Sequence, residues 1–134
     1  MENPSLDEVI RSSRAVVRKG RFAYLKAREV GSGDHFLVAR DEDEVTVVTE
    51  EANVGDLAYD SDVKWFSLIE IRVSLPFVAK GFLAAVTGAI AGKDLNVLVV
   101  STFSKDYLLV REESLQTAVG ALEELGFPVA SDEV

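Results

Sequence analysis

Along residues 65–73 apolar Ile69, Ile71 and Val73 alternate with Glu70 and Arg72. This two-residue period predicts a strand with one buried face and Glu70 and Arg72 on the other. Pro76 ends it, since proline donates nothing to a ladder. Residues 77–93 then change period: Ala79, Phe82, Leu83, Val86 and Ile90 form a helical stripe. A second stripe holds only small residues, Gly81, Ala85, Gly88 and Gly92. Each helical glycine costs about 1 kcal/mol relative to alanine, so the stripe predicts close approach of another backbone. Residues 95–101 read as a strand, 103–105 as a turn and 107–110 as the returning strand. Leu115, Val119, Leu122 and Leu125 mark a helix over 113–125, which Gly126 and Pro128 stop before a short last strand. The second half thus predicts an α+β domain of ferredoxin-like βαββαβ order, an antiparallel sheet with two helices on one face.

The first half is mostly β. Ser5 followed by Glu8 is a capping-box pattern and predicts a helix at 6–13. Strands are expected at 15–18, 21–30, 35–40 and 45–49, with turns at 31–34 and 41–43 and a helical turn after Glu50. Asp60, Ser61 and Asp62 mark a boundary, dividing the chain into modules 1–61 and 62–134. The hairpin at 37–48 lays over residues 99–110 without a gap, apolar on apolar, with Glu44 or Asp106 before each returning strand. Two readings fit: a degenerate repeat whose first copy lost its long helix, or the overlay that any two hairpins of equal loop length allow.

Composition narrows the function. The chain has 134 residues, 48% of them hydrophobic, no cysteine and a net charge of −9. Residues 1–30 hold seven basic and four acidic side chains, and the rest hold seven and nineteen. An acidic body argues against nucleic-acid partners. The absence of cysteine removes disulfides and thiolate metal sites and fits a cytoplasmic setting. The most apolar run, residues 77–91, is too short and too glycine-rich to span a membrane.

Catalytic chemistry is not marked. His35 is the sole histidine and reads as a surface residue. The carboxylate runs 41–44 and 60–62 lack the spacing of a calcium loop, and no nucleophile elbow, phosphate loop or dinucleotide fingerprint is present. The reading is therefore a non-enzyme with no cofactor or metal. A more useful pairing joins the strand-to-helix turn, residues 74–81, to the strand end Ser101, Thr102, Phe103 and Asp106. A helix N-terminus suits a carboxylate, Asp106 suits an ammonium, and Phe103 is placed to exclude water. Opposed anion and cation sites describe a receptor for a zwitterion such as an amino acid.

Val99 to Val110, V-V-S-T-F-S-K-D-Y-L-L-V, resembles a signature of one branch of the ACT family, S-T-[FY]-x-x-D-[YH]-x-L-V. That branch includes short two-module proteins, relatives of aspartate-kinase regulatory modules, and animal cytosolic arginine sensors. Residues 36–51, the K-G-R-F-A of 19–23 and the G-F-L-A of 81–84 resemble other parts of the same proteins. The resemblance covers about residues 5–127 and implies a degenerate ACT-like module followed by an ACT module. It implies a regulatory homodimer with a small ligand at a module or subunit interface. The site residues it implies are Phe77, Val78, Ala79, Lys80 and Gly81, with Thr102, Phe103 and Asp106. Where the arginine sensors carry acidic residues before the helix glycine, this chain has Val78, Ala79 and Lys80. A neutral or acidic amino acid is therefore the expected ligand. The alternative is a ligand-free protein–protein interaction domain using the sheet edge or the small-residue helix face.

Overall fold

A computed structural model describes residues 4–74 and 80–132. They form two compact units, one of residues 1–19 with 68–134, the other of residues 20–67. This differs from the expected division at 61/62. The acidic stretch 60–62, expected to be a module boundary, lies inside a long strand, Tyr59–Arg72. Backbone pairing of Tyr59, Ser61, Asp62, Val63 and Phe66 with residues 22–27 overrides the low strand preference of aspartate and serine. The acid side chains stay outside, Asp60 paired with Arg28 and Asp62 with Lys64.

The first unit opens with helix α1 (Leu6–Ser12), whose Glu8 N–H donates to the Ser5 hydroxyl at 3.2 Å, as the capping pattern predicts. Strand β1 (Arg14–Val17) follows. Strands β2 (Phe22–Ala27), β3 (Leu37–Arg40) and β4 (Val45–Glu50) and the one-turn helix α2 (Glu51–Val54) belong to the second unit. Strand β5 (Tyr59–Arg72) contributes to both. Helix α3 (Phe82–Ala91), β6 (Leu98–Ser101), β7 (Asp106–Arg111), helix α4 (Leu115–Leu125) and β8 (Val129–Ser131) complete the first unit.

From β5 onward the order is βαββαβ, as expected. One strand modifies it: β1 lies between β5 and β8, antiparallel to β5 and parallel to β8. The sheet is therefore mixed rather than purely antiparallel. Alternation along β5 buries Ile69 and Ile71 against Phe82, Val86 and Ile90 of α3 and Ala118 and Leu122 of α4. Val9 and Ile10 of α1 join the same cluster, so three helices, not two, cover this face.

The second unit is mostly β, with strand order β3-β4-β2-β5. Ala23, Leu25 and Ala27 pack with Val47, Val54 and Leu57. The β3–β4 hairpin pairs Arg40 with Val45, and β6–β7 pairs Ser101 with Asp106. Both enclose four-residue tips, closed from Asp41 N–H to Glu44 C=O and from Thr102 N–H to Lys105 C=O. The two hairpins thus superimpose at an offset of 61 residues, one less than the gapless sequence overlay. The overlay slips by one position, which exchanges the two faces of every strand residue.

Candidate functional site

The expected site divides into what the structure describes and what it does not. Phe77, Val78 and Ala79 lie outside the described residues. Lys80 is exposed in a turn, and Gly81 has φ of 81°, a left-handed conformation suited to glycine. Helix α3 begins at Phe82, so the described helix is shorter than the expected 77–93. Gly81 offers no side chain to cap it, and its carbonyl accepts from Ala85 N–H at 2.9 Å. The small stripe meets no close backbone: a Cβ on Gly88 would find open space among the described residues, and one on Gly92 would meet only carbonyls of its own helix.

The β6–β7 tip is compact and polar. Thr102 is exposed and closes the tip onto Lys105, with its hydroxyl 3.3 Å from the Lys105 carbonyl. Ser101 Oγ donates to Asp106 Oδ1 at 2.6 Å, and among the described residues the second carboxylate oxygen accepts no hydrogen bond. Phe103 is 87% exposed.

The tip reaches the end of β5 through a group that the sequence pattern misplaced. Glu70, expected on a solvated face, is fully buried. Arg18 Nη1 donates to its Oε1 at 2.8 Å, Arg72 Nε donates to Oε2, and Lys105 Nζ lies 3.7 Å away. The Tyr107 hydroxyl approaches at 3.4 Å. Burial pushes the Glu70 carboxyl up, but the hydrogen bond from Arg72 and the charges of Lys105 and Arg72 outweigh it, aided by Arg18. The group therefore sits below its ordinary value. Arg18 Nε is also held by Asp132, at 3.0 Å. These partners come from four separate segments, which is why local alternation could not find them. The hint available was Arg72 two residues from Glu70, on the same face of one strand.

His35 is also corrected. It is half-buried, with Nδ1 2.9 Å from Thr49 Oγ1 and Nε2 3.0 Å from the Val30 carbonyl. A carbonyl only accepts, so Nε2 carries the hydrogen. Asn53 completes the network through Thr49 Oγ1 and the Asp34 carbonyl. The histidine fastens a loop. The acidic tip has a local role too, since Asp41 Oδ1 accepts from the N–H groups of Asp43 and Glu44. Among the described residues no group of acids and histidine is arranged to hold a metal, and no helix is long and apolar enough to cross a membrane.

Residues 63–124 match the sequence model of the ACT domain. No curated protein matches the chain. Among solved structures, a Vibrio cholerae protein of unknown function, described as a possible transport protein, is 22% identical with a TM-score of 0.73, covering 90% of this chain and 95% of its own. An Agobacterium tumefaciens protein is 23% identical with a TM-score of 0.71, over 91% and 95%. The regulatory subunit of aspartate kinase from Thermus thermophilus is 7% identical with a TM-score of 0.58, over 87% and 98%. At these identities the likeness is one of fold.

Proposed function

With residues 63–124 belonging to the ACT domain family, we propose that this chain is a non-catalytic regulatory protein of the cytoplasm that binds an amino acid at a subunit or module interface. A regulatory, small-molecule-binding role is what the domain and its structural neighbours support. The observation that carries the finer reading is the β6–β7 tip, where Thr102 and Asp106 sit beside Lys105, which reaches to the end of β5. The start of α3 follows β5 in the chain and offers uncapped N–H groups for a carboxylate. Asp106 is the acceptor for an ammonium group. Lys80, near the helix start, disfavours a cationic ligand side chain and favours a neutral or acidic one.

Phe103, 87% exposed beside β6, supports a homodimer in which a second subunit covers the ligand. Among the described residues β6 pairs only with β7, so its outer edge has donors and acceptors to offer. A thermal-shift series with the common amino acids tests the reading. A ligand at a hundred times its Kd adds about 2.7 kcal/mol of stability. The expected result is a rise with one neutral or acidic amino acid that D106N removes; no rise at millimolar concentration of any of them rejects it. A second reading, a ligand-free interaction domain, is favoured by the open face at Gly88 and the exposed Leu83 of α3. One stoichiometric protein partner without any amino-acid effect distinguishes it.

A further inference from the structure

The buried Glu70 collects more positive charge than it needs. Arg18, Arg72 and Lys105 converge on it, and with Asp132 the cluster holds three cations against two carboxylates, in a chain of net charge −9. Each of the three basic side chains is 41% exposed, while Glu70 is fully buried. The carboxylate is saturated from within: Oε1 takes Arg18 and faces Tyr107 and Lys105, and Oε2 takes Arg72.

The cations are not saturated. Arg72 uses only Nε, leaving both Nη groups without a hydrogen bond among the described residues. Among the described residues Arg18 uses Nε and Nη1, leaving Nη2, and Lys105 Nζ makes only the 3.7 Å ion contact. Long basic side chains each carry about 2 kcal/mol of rotamer entropy, and here a buried anchor has already restrained them. The planar fork of a guanidinium matches phosphate and carboxylate oxygens.

We infer that Arg18, Arg72 and Lys105 form a receptor for the oxyanion of a small molecule, a phosphate or a carboxylate, with Glu70 as the anchor that holds the three donors toward solvent. The site borders the amino-acid notch at Lys105 but rests otherwise on different residues, Arg18, Arg72 and Glu70 in place of Thr102, Asp106 and the start of α3. A local cluster of cations on an otherwise acidic body attracts small anions.

The test uses the full chain labelled with nitrogen-15. The Nε–H signals of Arg18 and Arg72 are followed while inorganic phosphate, and separately succinate, replaces chloride at constant ionic strength. A saturable shift is expected in at least one arm; phosphate alone assigns a phosphate-type ligand and succinate alone a carboxylate. R72Q is expected to weaken binding about tenfold, the equivalent of one charged hydrogen bond. K105Q, at a half-exposed position in a turn, gives a second measure should R72Q misfold, with a loss of about threefold or more. R40Q, on β3 of the other unit, leaves binding unchanged. Shifts that fail to saturate in both arms, or R72Q and K105Q variants that bind as tightly as the parent, overturn the inference. Failure of every amino acid in the thermal-shift series leaves this result standing, so the two readings fail separately.

Discussion

Glu70 shows how one side chain can reverse a sequence expectation. Alternation placed it opposite Ile69 and Ile71, which is correct, and inferred that opposite meant solvated, which is not. The cover comes from Arg18, Lys105 and Tyr107, remote in sequence, so a local period could not reveal it. Its folded value lies below the ordinary 4.5, so it contributes stability above the ordinary value and loses that contribution as pH falls through the lowered one. E70Q is expected to lower stability at neutral pH by about 1–3 kcal/mol, less than a fully buried pair because its cations are half-exposed. Urea unfolding of parent and variant from neutral to acidic pH checks this: the difference between them shrinks toward acid. A constant difference across that range counts against an ionised Glu70. Phe103 is the converse case, an aromatic residue read as a water shield that one chain leaves outside.

Elements were more legible than residues. The periods of 69–73, 82–90 and 115–125 name β5, α3 and α4, and Ser5 with Glu8 marks the start of α1. Element ends were less so: α3 starts after the left-handed Gly81, and the fourteen-residue β5 runs through acids that read as a module boundary. The hairpin echo was visible but slipped by one, because apolar matching alone tolerates two neighbouring overlays where both strands are rich in valine and leucine. Gly126, by contrast, is a stop signal with a mechanism. Its φ is 121°, and its N–H donates to the Leu122 and Glu123 carbonyls that end α4. G126A is expected to cost about 1–2 kcal/mol through backbone strain alone, since the added Cβ would meet Ile10 at an ordinary 3.5 Å contact. A denaturation midpoint equal to the parent's excludes that strain.

At the scale of the molecule, the βαββαβ order was readable from residue 64 onward, but the membership of the unit was not. The pattern gave 15–18 as a brief strand of the first half, whereas β1 completes the sheet of the second. Nothing in four residues of a short apolar run states which distant strands it joins. Of the residues that the sequence proposed for a site, Lys80, Gly81, Thr102, Phe103 and Asp106 are among those the structure describes, while the burial of Glu70 came only from the fold. A fragment of residues 62–134 lacks β1 and leaves β5 and β8 without their shared neighbour. It is expected to lose cooperative unfolding, measured by circular dichroism on heating, and adding a peptide of residues 1–19 restores it. A fragment that melts as sharply as the whole chain rejects this dependence.

The parallel ladder from Ala15 to Val129 carries a further consequence for biogenesis. Its two sides are far apart in sequence, so β1 leaves the ribosome with no partner for its outer edge until residues 129–131 have followed. The residues 20–67 between them can meanwhile close their own short-range pairs, which makes them the natural first folder. The opening strand is then the piece that a chaperone or an early truncation product would find exposed.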